Sequence, residues 1–150
     1  MTSFRITNEL DEKAWRRFLA YHPHSNIFHT PDMFEVFART KNHRPTLWAA
    51  IGDEGNVLAL LLPVQITLFD GLPRRLTSRA VAYGSLLYEP GSLGKDALEA
   101  LLRAYTQTIQ GDVLFTELRN LCDLAPVQPL LNRCGFAMED HLNYLVDLDR

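Results

Sequence analysis

Cysteine is nearly absent from this chain: two residues in 150, Cys122 and Cys134. They match no CxxC or zinc-ligand spacing, and two thiols build no disulfide framework. A small disulfide-held secreted fold is thereby excluded, and a reduced, cytoplasmic setting is expected. Basic charge is not in excess either. Fifteen Lys and Arg face 18 Asp and Glu, for a net charge of −3. No basic run interleaves with aromatics, which argues against a domain that coats DNA. Long apolar runs are missing too. The most hydrophobic stretch, "VLALLLPVQITLF" at 57–69, falls well short of the roughly 20 residues that a spanning helix needs. Met1 is followed by polar residues rather than an apolar leader core, so no signal peptide is expected. Repeats and low-complexity linkers are likewise absent.

What is present is an ordinary globular balance, 47% hydrophobic and 22% charged, enough for one core in one domain. "SFRIT" reads as a first strand. Asn8 is expected to cap the next helix, with Asp11 and Glu12 in its first turn. Trp15, Phe18, Leu19 and Tyr21 or His22 fall on one face of it. A second helix start is written in "FHTPDMFEVFARTK". Thr30 suits the N-cap, Pro31 the first helical position and Asp32 the positive end of the dipole, while Met33, Phe34, Val36 and Phe37 supply an apolar face.

A hairpin follows. "PTLWAAI" turns through "GDEGN" into "VLALLLPVQITLF", a return strand too continuously apolar for a wet face and interrupted at Pro63. After the turn "DGLP", the segment "RRLTSRAVAYGSLLYEP" reads as a strand opened by Arg74, Arg75 and Arg79 and broken at Gly84. The next helix has Asp96 in its first turn and Leu98, Leu101, Leu102 and Tyr105 on one face. A buried-type strand in "DVLFTELRNL", a helix from Pro126 or Pro129 ended by Gly135, and a last strand in "LNYLVDLD" complete the chain. The order predicts a mixed α/β (α+β) fold.

The layout, together with the ending "LFTELRNLCDLAPVQPLLNRCGF" at 114–136, resembles the GNAT acyltransferase superfamily. That resemblance implies a mixed, mostly antiparallel central sheet flanked by helices. Within the superfamily, "IFHTPDMFEVFARTKNHRPTLWAAIGDEGNVLALLL" and "RAVAYGSLLYEPG" are similar to the N-terminal domain of FemAB-type aminoacyltransferases. His29 stands where that family commonly has Gln, and Met33 or Phe34 where it commonly has Trp. The likeness implies acyl or aminoacyl transfer to an amine-bearing acceptor such as a peptidoglycan precursor, with acetyl-CoA or aminoacyl-tRNA as donor. It also implies that residues 1–150 form one GNAT-like domain of a longer two-domain protein. The partner would be a second GNAT-like domain in cis or another copy of the chain.

Two departures from the superfamily pattern bear on chemistry. The loop "YEPGSLGKD" offers Gly91, Ser92, Gly94 and Lys95 as cofactor-binding candidates at a helix start, but at the wrong spacing for a pyrophosphate cradle and beside Glu89. The position of the usual proton-donating tyrosine, four residues before the glycine, is Leu131, which transfers no proton. No catalytic residue is therefore assigned. A stand-alone acetyl-CoA-dependent N-acetyltransferase with an atypical loop, and a non-catalytic binding or assembly module, are the alternatives.

Candidate substrate-binding residues come in three groups. Arg39 and Lys41 end the second helix, where the FemAB resemblance puts an acceptor diphosphate and where simple dipole complementation would also place cations. Tyr83 and Ser85 flank the break at Gly84, as ligand contacts or as residues packing beside a bulge. Glu117 and Arg119 lie two apart on one strand face, with Asn120 next, lining a cleft or pairing structurally. The histidines in "YHPHSNIFH" cross a proline and lack a nearby thiol or carboxylate partner, so a plain loop rather than a metal site is expected.

Overall fold

The computed structural model describes residues 3–69 and 74–140. Its framework is three chain passes that each bend at the same level. The first pass comprises β2 (His43–Pro45) and β3 (Trp48–Gly52), the second β4 (Val57–Leu61) and β5 (Val64–Thr67), and the third β6 (Ser78–Ala82) and β7 (Leu86–Tyr88). The bends fall at Thr46, at Pro63 and at Gly84. Proline lacks a ladder donor and breaks the second pass, and its carbonyl instead accepts the Thr46 N–H at 2.9 Å, holding two bends together.

The bends divide the strands into two four-stranded sheets. The first has the order β1-β3-β4-β7, with β1 at Phe4–Thr7, and all its pairings are antiparallel. The second has the order β2-β5-β6-β8, with β8 at Thr116–Leu118. Its pairings are antiparallel except for β6 with β8, which run parallel. The expected mixed, mostly antiparallel architecture is what forms.

Helices cover the first sheet on both faces. α1 (Glu12–Tyr21) lays Trp15, Phe18 and Leu19 on Leu47, Ala49, Ile51, Leu60 and Leu87. The other face packs against α4 (Ser92–Ile109) and α5 (Gln128–Arg133), where Leu98, Leu101, Leu102 and Tyr105 are wholly buried. α2 (Pro31–Ala38) sits beside β2 with no residue fully buried. Thr30 accepts from the Met33 N–H, as its N-cap role requires. α5 ends as the Gly-Phe pair dictates. Gly135 takes φ +89°, its N–H reaches the Asn132 carbonyl, and the Phe136 N–H reaches Leu131 at 3.0 Å.

Four local expectations are corrected. Asp11, not Asn8, caps α1, because its carboxylate accepts the Ala14 N–H, while the Asn8 amide donates to the Leu47 carbonyl. Arg74 and Arg75 lie in a helical turn, α3 (Arg74–Thr77), so the strand opens only at Ser78. The strand expected from 112 is three residues long, and Leu114 and Phe115 before it are exposed. α2 hides less than its apolar face suggested, with Val36 exposed. The "DGLP" turn and the final strand, with Tyr144, lie outside the described residues.

Candidate functional site

The parallel pairing of β6 with β8 ends at Ala82 and Leu118, and the last backbone bond runs from the Arg119 N–H to the Ala82 carbonyl at 3.0 Å. Beyond that point the two chains part. The third pass breaks at Gly84 and Ser85 and resumes as β7, which among the described residues pairs only with β4. Among the described residues, the edge of β7 toward the chain leaving β8 carries no strand.

Five of the sequence candidates meet at the mouth of this opening. Ser85 adopts φ +62°, a left-handed conformation uncommon outside glycine, and is 1% exposed. Its hydroxyl donates to the Asn120 side-chain carbonyl across the gap, a tie between the diverging chains. The Arg119 guanidinium lies 5.0 Å from the Tyr83 ring centroid while its Nε donates to Glu117 at 2.9 Å. The cation is thus held both by a ring and by a carboxylate.

The sequence reading missed the rings that complete this face. Tyr83 stacks on Phe37 at 5.2 Å and on Phe28 at 5.7 Å, and Phe37 stacks on His43 at 6.2 Å. These four half-buried rings come from the α1–α2 connection, α2, β2 and the β6 break. Spacing in sequence gives no hint that such elements converge.

Also missed is His29, in the 3₁₀ turn Ile27–His29, which is 1% exposed. Its ring lies directly on Gly84, where an added Cβ would sit 2.7 Å from both Cε1 and Nε2. Glycine at 84 is therefore needed to admit the imidazole. Nδ1 accepts the Asn26 N–H at 3.1 Å, so the proton of the neutral ring resides on Nε2. Burial pushes the His29 pKa from 6.5 down to about 4, against the backbone of Ser85 and Gly84, which favours the charged ring. The ring thus lies against the Ser85 and Gly84 backbone, although no contact of Nε2 among the described residues reaches full hydrogen-bond geometry.

A third missed residue guards this edge. His22 hydrogen-bonds the Tyr88 carbonyl through Nε2 at 2.9 Å, while its Nδ1 accepts the His24 N–H. The tautomer follows: Nε2 carries the proton and donates. Tyr88 itself faces Cys122 and Asp123, and burial followed by those two neighbours raises its pKa.

The remaining candidates stand apart from the opening. Arg39 pairs with Glu35 at 2.7 Å on the exposed surface of α2, an i,i+4 helix contact, and Lys41 is exposed. At the start of α4, Gly91 takes φ +100° as N-cap with no side-chain cap bond, and Ser92 begins the helix. Gly94 is required because the Glu89 carbonyl oxygen would lie 1.8 Å from an added Cβ. Loop packing accounts for that glycine. Lys95 contributes its N–H to Gly91 at 3.3 Å.

Leu131 is buried in the core and offers no acid. The Tyr105 hydroxyl is bonded to Thr116, and burial lifts its pKa to about 12. No group of three or more metal-ligating side chains occurs among the described residues, and no described helix is long and apolar enough to cross a membrane.

No family model matches this chain, and no curated sequence matches it significantly. Solved structures do. The aminoglycoside antibiotic 6'-N-acetyltransferase AAC(6')-Ih from Acinetobacter baumannii is 12% identical, with a TM-score of 0.60 over 97% of this chain and 98% of that one. The ribosomal-protein-alanine N-acetyltransferase from Brucella melitensis biovar Abortus 2308 is 12% identical, with a TM-score of 0.52 over 99% and 100%. A predicted acetyltransferase from Clostridium acetobutylicum, solved with acetyl-CoA, is 13% identical, with a TM-score of 0.55 over 100% and 99%. At these identities the likeness establishes the fold, which is that of the GNAT acetyltransferases.

Proposed function

We propose that this domain serves N-acyl transfer, holding an activated acyl group at the Gly84 and Ser85 break and an amine-bearing acceptor on the face formed by Tyr83, Glu117 and Arg119. The observation that carries the reading is the edge of β7, unpaired among the described residues where β6 and β8 part, and lined at its mouth by polar side chains. An extended donor bearing amides can pair with such an edge as a strand does. Glu117 offers a carboxylate to a cationic amine, and Arg119 offers a fork to an acceptor's anionic group. Rate enhancement in this arrangement comes from orientation and preorganised dipoles rather than from a dedicated nucleophile.

The finer reading is a FemAB-related N-terminal domain acting on a cytoplasmic amine acceptor, such as a peptidoglycan precursor, with aminoacyl-tRNA as donor. The second GNAT-like domain or another copy of the chain would complete its site. One observation favours it over a stand-alone acetyl-CoA enzyme: Leu131, buried in the core, occupies the acid position. The stand-alone reading is supported by the acetyl-CoA-bound neighbour of equal extent.

Thermal unfolding with acetyl-CoA separates the two. A saturable upward shift of Tm, as mass action requires of a ligand that binds only the folded chain, favours the stand-alone enzyme. No shift, with aminoacyl transfer to a precursor amine that appears only when a second GNAT-like domain is supplied, favours the FemAB-related reading. Failure of both removes acyl transfer.

A further inference from the structure

We propose that Arg79 is a specificity-determining residue of the acceptor face, its guanidinium receiving a carboxylate that the acceptor carries beside its amine. The inference rests on the acceptor half of the acyl-transfer reading and deepens it, because it makes the acceptor a zwitterion of the amino-acid kind. Strand register places the residue. Arg79 on β6 stands opposite Ile66 on β5, and Val81, two residues on, stands opposite Glu117 on β8. Alternate residues of a strand and direct cross-strand partners share a face. Arg79, Ile66, Val81 and Glu117 therefore lie on one face of the second sheet, where Arg119 pairs with Glu117 and overlies Tyr83. The reverse face is scaffold, with Thr116 bonded to Tyr105 of α4.

Arg79 is the cation on this face that nothing holds. Its Nε is buried without a hydrogen-bond partner, and no carboxylate pairs with it among the described residues. A buried donor left unpaired costs on the order of 1–3 kcal/mol, and more when it is charged, so one that persists needs a reason such as a ligand. The group is not sealed. Arg79 is half-buried as a residue, and Nε alone is the buried orphan, so the terminal nitrogens keep contact with solvent. Its neighbours are open as well, with the Glu117 and Arg119 side chains 34% and 44% exposed. Arg119 already spends its Nε on one Glu117 oxygen at 2.9 Å, and the other oxygen, Oε2, has no bond among the described residues. The face thus offers an unspent guanidinium fork and an unspent carboxylate oxygen on adjacent strands. An ammonium suits the oxygen, and a planar carboxylate suits the fork in two parallel bonds. A dianionic phosphate would set a second negative charge beside Glu117 and matches the face less well.

The test uses the full chain, uniformly 15N-labelled, and four small probes. They are L-phenylalanine; L-phenylalaninamide, which lacks the carboxylate; N-acetyl-L-phenylalanine, which lacks the free amine; and phosphoethanolamine, which carries a phosphate instead. The expected result is a saturable shift of the Arg79 Nε–H resonance with L-phenylalanine and a much weaker response to the other three. If the Glu117 backbone resonance moves alike with L-phenylalanine and its amide while Arg79 Nε–H moves with neither, this inference is wrong and amine binding on the face stands. An equal response to N-acetyl-L-phenylalanine would make Arg79 an unselective anion contact. A stronger response to phosphoethanolamine would make it a phosphate contact, and either result overturns the zwitterion. If no resonance of the face moves with any probe, the inference falls along with the acceptor half of the acyl-transfer reading, while the donor half is still decided by acetyl-CoA.

Arg79→Met keeps an apolar stem and removes the fork. It is expected to weaken L-phenylalanine binding roughly 10-fold, as the loss of a charge-assisted pair should, and to leave L-phenylalaninamide unchanged. Tm is expected to hold or rise, because an unpartnered buried N–H is lost with the guanidinium. Arg79→Lys, which keeps the charge without the fork, is expected to recover only part of the affinity. A clear fall in Tm with every probe bound as in wild type would mark Arg79 as a packing residue instead.

Discussion

The two sheets are made from the same three chain passes, yet they are built to different standards. In the first, Ala49, Ala50, Ala59, Leu60 and Leu61 have no exposure, and helices close both faces. In the second, the buried cluster is Val64, Ile66 and Val81, with Phe37 and Tyr83 half-buried beside it, and Leu68, Phe69, Leu114 and Phe115 are exposed at its end. Tyr83, Ser85, Glu117, Arg119 and Asn120 of the candidate site lie at the seam or on the second sheet. One half of each pass is scaffold, and the other half carries the candidate site on a thinner core.

The largest expected effect tests that difference directly. Leu60→Ala, in the middle of the first sheet, should cost about 3–5 kcal/mol, because neighbours packed on both faces cannot collapse into the void. Ile66→Ala in the second sheet should cost about 2 kcal/mol, the lower end of the same range, since a small cluster relaxes more easily. Urea denaturation measures both. Equal losses would erase the distinction between scaffold and working half.

The next effect lies at the seam. Above pH 6.5 the His29 ring is neutral in both the folded and unfolded chain, and pH changes nothing through it. As pH falls from 6.5 toward about 4, the unfolded ring takes up a proton that the buried ring refuses. Stability is therefore lost across that window by about 3 kcal/mol and levels off below it. The difference between the pH–stability curves of wild type and His29→Phe isolates this contribution from the other titrating groups. Parallel curves would mean that His29 is solvated in solution.

Gly94→Ala probes the scaffold side of the opening, where α4 begins. A methyl group there must displace the Glu89 backbone carbonyl, which a flexible side chain would tolerate but a hydrogen-bonded loop does not, since the Glu89 N–H is fixed to Leu58 at 2.8 Å. Overpacking of this kind costs about 1–3 kcal/mol. A neutral result by thermal unfolding would show that the loop is free to move.

Much of this comparison was legible in the sequence, and unevenly so. The scaffold half could be read because burial on both faces forces a continuous apolar run, and "VLALLL" is such a run, too short to span a membrane. Pro63 and Gly84 announced two of the three bends, since each removes something a regular strand needs. The working half was harder. Tyr83, Ser85, Glu117, Arg119 and Asn120 were suspected from residue type beside a break, and the structure brings them together. Arg39 and Lys41 were suspected too, but α2 turns Arg39 toward Glu35 on the surface. Phe28 and His43 leave no such signal, because stacking across four elements has no periodicity. The useful signal for His29 was indirect, a glycine at 84 that has to leave room for a ring.

The smallest expected effect bears on whether the second sheet is truly open. Leu114 and Phe115 are 59% and 52% exposed as the chain enters β8, an edge strand of the described sheet. Their backbone is used, with the Leu114 N–H bonded to Ser78 and the Phe115 carbonyl accepting from Ala80. Their side chains meet solvent. Phe115→Gln should then leave stability within about 0.5 kcal/mol of wild type, as surface changes do when they disturb no packing. A loss several times larger, measured by urea denaturation at low protein concentration, would mean that further chain covers this edge. The contrast between the two sheets would then belong to the described residues alone. A loss that appears only at high protein concentration would instead trace the cover to a second copy, and would tie the thin core of the working half to assembly.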